Sequence, residues 1–313
     1  MIHLELMGIP ERLGKRNEGI NMSKSLNRRN FIGTGLTGAV ALNAGFASIA
    51  SSQSGMSSPD QPCKIGLILY TIRDFLKTAE DIAKSFEKVK KIGYDIVEIT
   101  SCDAVSAEQL AKILSENGLR AVSAHTGWDA VSKDPQKVID QNKAIGNTHI
   151  VVSSMPGSFQ SEEGYKNFAK MMSETGAKLA EAGMTFGYHN HSFEYTHYNG
   201  VSGQEILVSQ SDPKYFNFEI DTYWVQHGGG DSASWIEKVA GRVPTVHMKD
   251  LVIFENKPIF AEVGEGNLNW PAILAACQKS QVKYCIVEQD TCQRDPFESI
   301  AISIKHMKSW GLS

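Results

Sequence analysis

The chain is poor in the features that define several common protein classes. Its five cysteines, Cys63, Cys102, Cys277, Cys285 and Cys292, include no CxxC pair, which argues against a cysteine zinc site or a disulfide-scaffolded fold; they read mostly as thiols. Charge of one sign is also lacking. With 31 basic and 35 acidic residues the net charge is -4, and no basic stretch follows the N-terminal region, so a nucleic acid or an anionic membrane surface is not an expected partner. No glycine-rich phosphate turn follows the first apolar run, where Tyr70-Thr71-Ile72-Arg73-Asp74 stands instead, and this argues against a doubly wound dinucleotide fold. Nor is there an undiluted membrane span, because the one long apolar stretch, residues 33–50, is interrupted by Gly, Thr, Asn and Ser and is not followed by a lipobox cysteine.

What is present begins with an export signal. Asn27-Arg28-Arg29-Asn30-Phe31-Ile32 ahead of that weakly apolar stretch resembles a twin-arginine signal, with Ser48-Ile49-Ala50 offering small residues for cleavage. A start at Met22 would place the arginine pair at the usual short distance from the N-terminus. Residues 1–50 are therefore expected to be an N-terminal extension and signal, 51–62 a linker and 63–313 the catalytic domain. This reading makes the protein periplasmic and the twin-arginine machinery a partner. Export of an already folded chain would also let a metal be acquired in the cytoplasm, away from tighter-binding zinc or copper.

From residue 61 onward, short β-rich runs alternate with longer segments of helical period. Strands are predicted at 64–70, 95–100, 120–125, 149–153, 185–191, 216–221, 245–250 and 284–288, with helices at 79–92, 107–117, 135–145, 162–182, 203–209, 232–239, 269–280 and 296–310. Ile82, Phe86, Val89 and Ile92 form one apolar stripe, and Gly93, Gly118 and Gly183 stand as helix stops before the next strand. Eight βα units in about 250 residues describe an α/β protein of the (β/α)8 TIM-barrel type, whose chemistry lies at the C-terminal ends of the strands.

Those ends are rich in titratable groups. Four apolar runs close in metal-compatible side chains: Tyr188-His189-Asn190-His191-Ser192-Phe193-Glu194, Phe218-Glu219-Ile220-Asp221, Val246-His247-Met248-Lys249-Asp250 and Ile286-Val287-Glu288-Gln289-Asp290. Any one such carboxylate is more often a helix cap or a surface group. Their recurrence at equivalent places points to one shared site, since buried charge is costly unless paired or metal-bound. The rim set is Tyr70, Glu98, His125, His189, His191, Asp221, His247, Lys249 and Glu288. By strand alternation His189 and His191 share a face, as do His247 and Lys249. Gly264-Glu265-Gly266 reads as a turn before a helix rather than a phosphate loop, because its carboxylate repels phosphate. Trp224, Trp128 and Phe193 are candidates for an apolar wall against a sugar ring.

In their order and spacing these segments, together with Gly93-Tyr94-Asp95-Ile96-Val97-Glu98 and Ser123-Ala124-His125, resemble the xylose isomerase-like TIM-barrel family, the sugar isomerase and epimerase group related to endonuclease IV. The resemblance covers essentially the whole chain after the signal. It implies a divalent metal held by Glu, Asp, His and Glu from the fifth to eighth strands, matched directly by Asp221, His247 and Glu288. The fifth-strand ligand stays open between Glu194, favoured because three oxygens and one imidazole suit Mn2+, Mg2+ or Co2+, and His189; Mn2+ is the first choice and Zn2+ is also compatible.

The implied activity is isomerisation or epimerisation of a carbohydrate by proton abstraction next to a carbonyl, through an enediolate. Glu194, Glu288, His191 and Lys249 are the candidate catalytic residues, and Tyr70, Glu98, His125, His189 and Trp224 the substrate contacts. Lys249 is expected either to stabilise an oxyanion or to pair with Asp250. The periplasm favours an unphosphorylated or oxidised sugar, and self-association is left open. Competing readings are a keto-glycoside lyase or hydrolase of the same fold, a phosphodiesterase of the endonuclease IV kind and a sugar-binding barrel without turnover.

Overall fold

The computed structural model describes residues 63–313, so the expected signal and linker lie outside the described residues. Eight strands close into one parallel barrel. They are β1 (Lys64–Ile68), β2 (Ile96–Ile99), β3 (Arg120–Thr126), β4 (His149–Val152), β5 (Thr185–His189), β6 (Asn217–Asp221), β7 (Thr245–Met248) and β8 (Tyr284–Val287), each paired with its neighbour in the chain, with β8 returning to β1. This is the (β/α)8 barrel expected from the alternating pattern.

Helix boundaries follow local chemistry. The helix Ala79–Ile92 starts where Thr78 accepts from the Asp81 N–H, and it ends at Gly93 with φ of 115°, a conformation that costs an L side chain dearly. Ser106 and Gln109 complete a reciprocal capping box on Ala107–Glu116, and Asp295 with Pro296 opens Pro296–Ser309. These helices bury one apolar stripe against the outer barrel wall, through Phe86, Val89, Phe168 and Met172 among others. A thin apolar tier of Ile68, Ile96, Val122 and Ile286 forms a separate cluster, contributed by the alternate residues of β1, β2, β3 and β8 that face the barrel interior.

Several features depart from the sequence reading, among them the early ends of β5 at His189 and β7 at Met248, which leave His191 and Lys249 just beyond the strands. β1 stops at Ile68, and Leu69–Phe75 turns into short 3-10 helix, so Tyr70 stands beyond the strand rather than in it. An antiparallel hairpin, Asp250–Phe254 with Lys257–Ala261, projects after β7. The thiol reading is corrected for one pair: Cys63 and Cys285 form a disulfide across 222 residues, tying the entry to β1 to the adjacent strand β8. Cys102, Cys277 and Cys292 remain thiols.

Candidate active site

At the C-terminal ends of β5 to β8, four side chains converge. His189, Asp221, His247 and Glu288 each offer an atom such that all lie within 4.8 Å of one another, and all four are buried. His189 Nε2 stands 3.3 Å from Asp221 Oδ2 and 3.9 Å from Glu288 Oε2, while His247 Nδ1 stands 3.9 Å from Asp221 Oδ2 and 2.8 Å from Glu288 Oε2. Ligands at about 2.1 Å from one ion sit roughly 3.0–3.4 Å apart, so the spread of these distances brackets a single cation.

Charge supports the same fit. Lys249, fully buried, places Nζ 3.0 Å from Glu288, 3.3 Å from Asp221 and 2.5 Å from Asp290. Three carboxylates against one ammonium leave two negative charges uncompensated, and a divalent cation supplies that difference. The donor set therefore fits a divalent metal held by His189, Asp221, His247 and Glu288. Burial, then the neighbouring His247 and His125, hold His189 well below the usual imidazole range, as a neutral nitrogen ligand requires. Burial alone would raise Glu288, but Lys249 and His247 override it and keep the carboxyl well below the usual range. Asp221 is pushed up to about 6 by burial, with Lys249 opposing.

A second tier lies beneath. His247 turns Nε2 toward Glu98 at 2.6 Å and Glu219 at 3.0 Å, and His125 Nε2 meets Glu219 at 2.6 Å and Glu98 at 3.5 Å. Glu98, His125, Glu219 and His247 also satisfy a metal-like spacing, but here the Nε2 atoms of both imidazoles already face the two carboxylates. Burial would lower His125, yet the two carboxylates raise it. This tier fixes which nitrogen of His247 faces upward, as carboxylate partners do for metal-binding histidines.

The mouth is a cavity of about 310 Å³ lined by Tyr70, Thr100, His125, Gly127, Ser153, Ser154, His189, His191, Glu288 and Asp290. Tyr70, His125, His189, His191 and Glu288 thus come together as the sequence suggests. Ser153 and Ser154, which follow β4, join them, and Arg73 lies 4.2 Å over the Tyr70 ring.

Other expected residues are placed elsewhere. Glu194 is fully buried away from the four-residue group, accepting from the Tyr188 hydroxyl at 2.6 Å and the His191 N–H at 2.9 Å, because the turn Phe193–Tyr195 folds it back under β5. Glu98 lies below the mouth in the second tier rather than in it. Trp224 packs 5.4 Å from the His191 ring and 5.1 Å from Lys249 Nζ, outside the lining set. Lys249 does not pair with Asp250. That carboxylate instead accepts the N–H groups of Leu251, Gly264, Gly266 and Leu268 and the Trp270 indole N–H. The expected turn at Gly264-Glu265-Gly266 is there.

Two site residues, Glu219 and Asp290, were quoted within motifs but given no role by the sequence. Glu219 carried a usable signal, since it precedes Asp221 by two residues and must share its inward face.

A barrel that gathers Glu98, His125, His189, Glu219, Asp221, His247 and Glu288 under one strand-end mouth defines an enzyme-like class before any relative is considered. The family profile described as xylose isomerase-like TIM barrel matches residues 86–310, and the chain belongs to that family. Inosose dehydratase from Mesomycoplasma hyopneumoniae (strain 7448) is similar at 23% identity over 288 residues, spanning 79% of this chain and 95% of the relative. Among solved structures, a sugar phosphate isomerase/epimerase from Parabacteroides distasonis ATCC 8503 matches with a TM-score of 0.66 and 23% identity, over 82% of this chain and 96% of that one. An L-ribulose 3-epimerase matches with a TM-score of 0.60 and 13% identity, over 79% and 94%. At these identities the structural matches establish the shared fold.

Proposed function

We propose that the protein is a divalent-metal-dependent carbohydrate isomerase or epimerase that removes a proton next to a carbonyl. The observation that carries this reading is the convergence of His189, Asp221, His247 and Glu288 directly beneath a polar mouth. A bound divalent cation supplies Lewis-acid polarisation of the carbonyl oxygen. Glu288, kept ionised by Lys249 and His247, takes the proton, and the Lys249 ammonium offsets negative charge developing nearby. His191 is the second proton carrier: it lines the mouth, its Nδ1 has no partner, and burial holds its pKa down to about 3, so the ring enters neutral and first takes the proton of the substrate hydroxyl. Delivery of the hydroxyl proton by the His191 ring to the opposite face epimerises the carbon, with Glu288 passing its own proton to the oxygen that His191 deprotonated, whereas return of Glu288's proton to the neighbouring carbon isomerises the sugar.

Among the described lining residues of the mouth none is Lys or Arg, which favours an unphosphorylated or keto sugar. Export to the periplasm fits the same choice, and the Cys63–Cys285 disulfide supports an oxidising compartment. A second reading, elimination from a keto-glycoside, draws support from an adjoining chamber of about 280 Å³ that shares Thr100, His125 and Gly127 with the mouth and gives room for a second ring. The experiment is solvent-deuterium exchange into a bound keto sugar. Exchange is expected in the wild type and abolished in Glu288→Gln; full exchange in that variant removes Glu288 as the base.

A further inference from the structure

The opposite end of the barrel carries a larger polar cavity. It measures about 420 Å³ and is lined by the first residues of the strands, among them Arg120, His149, Thr185, Asn217, Thr245 and Tyr284, with Lys283 at its edge. Strand alternation explains its polarity. Asn217 stands two residues before Glu219 and Thr245 two before His247, so these side chains fall on the same inward faces as the site above. In this fold the inward layers are ordinarily bulky, branched and apolar, and residues at this end ordinarily contribute only stability. Here an apolar cluster of Ile68, Ile96, Val122 and Ile286 lies above a layer that is polar.

Two observations show that this layer is not self-satisfied. His149 is 6% exposed and Thr245 fully buried, yet His149 Nε2 and Thr245 Oγ1 have no hydrogen-bond partner, although His149 Nδ1 meets Thr185 Oγ1 at 2.7 Å. The charge is also one-sided. Arg120 and Lys283 line the cavity, no Asp or Glu does, and among the described residues neither cation has a carboxylate partner; Arg120 lies only over the Tyr284 ring, at 5.9 Å.

We propose that this cavity is a second binding site, distinct from the catalytic mouth, for a small oxyanion carried on a hydroxylated molecule. Arg120 and Lys283 supply the charge that attracts the phosphate or carboxylate group, and the guanidinium fork favours a planar or tetrahedral oxyanion. His149, Thr245, Asn217 and Thr185 supply donors and acceptors for hydroxyls. The volume falls within the range of small-molecule sites. Mouth and base are electrostatic opposites: the upper end concentrates carboxylates and the lower end is cationic.

Isothermal titration of the full chain with inorganic phosphate and, separately, with gluconate tests this. At least one anion should bind saturably with a Kd of about 1 mM or tighter. The affinity should fall at least about tenfold in Arg120→Gln/Lys283→Gln, in proportion to two lost charge-assisted contacts, and stay unchanged in Asp221→Asn at the mouth. A matched thermal melt verifies that the double variant is folded, and the single variant Lys283→Glu should weaken the same binding. Phosphate alone binding identifies a phosphorylated ligand, gluconate alone a sugar acid. Binding of neither anion, or binding that survives in the folded double variant, overturns the proposal.

Discussion

The two oxygens of Asp221 have different tasks. Oδ1 accepts the Trp224 N–H at 2.9 Å and caps the helix Thr222–His227, while Oδ2 faces His189 and Lys249, each 3.3 Å away. A carboxylate at a strand end therefore need not be either a cap or a ligand. Glu194 shows the contrasting case of an acid enclosed by its own turn. Burial pushes it up to about 8 from an ordinary 4.5, against donation from Tyr188. The folded chain then holds a proton that the unfolded chain has released between about pH 4.5 and about pH 8. This stability is fully present below the lower value and is lost as pH rises through the upper one. Glu194→Gln should flatten the fall in Tm between about pH 5 and about pH 8 seen in thermal melts of the wild type. An unchanged slope would show that Glu194 is ionised throughout.

At the scale of elements, the projecting hairpin is tied back by one side chain. Asp250 gathers four backbone N–H groups and the Trp270 indole, linking the end of β7 to the turn before Trp270–Lys279. A Cβ at Gly266 would come 2.3 Å from Asp250 Oδ1, so glycine is required for the backbone to approach this carboxylate. Asp250→Ala leaves several buried donors unpaired and should cost about 3 kcal/mol or more in denaturant unfolding, with weaker activity through the displaced Lys249 next to it. A loss below about 1 kcal/mol would mean that water replaces Asp250 freely.

The same elements show what the sequence could reveal. Helix Ala79–Ile92 is legible to the residue because its apolar stripe, threonine cap and glycine stop agree. The hairpin is not, because its turn uses Glu255 and Asn256 at φ of 48° and 61° without a glycine. Of the site, Asp221, His247 and Glu288 are legible as strand-end residues, and the family resemblance singles them out from the rest of the rim. The choice between His189 and Glu194 depends on how the turn at Phe193–Tyr195 folds, which no local pattern specifies.

Across the whole molecule, closure of the barrel brings together groups more than 200 residues apart. Cys63 and Cys285 are joined only because β1 lies beside β8, and that adjacency is a property of the closed sheet rather than of either segment. The disulfide restrains the ends of the barrel, and Cys63→Ala/Cys285→Ala should lose roughly 2–5 kcal/mol of stability, while reductant should lower Tm in the wild type alone. Equal sensitivity to reductant in both proteins would show that the bond contributes nothing. The candidate site is likewise a product of closure, drawing on four consecutive strands and resting on carboxylates from β2 and β6.

Metal content measured by mass spectrometry on the purified full chain decides whether His189, Asp221, His247 and Glu288 hold a divalent cation. The account predicts about one equivalent of manganese, magnesium, cobalt or zinc in the wild type, lost in Asp221→Asn/Glu288→Gln. No metal in either protein after reloading, or equal metal in both, would contradict it.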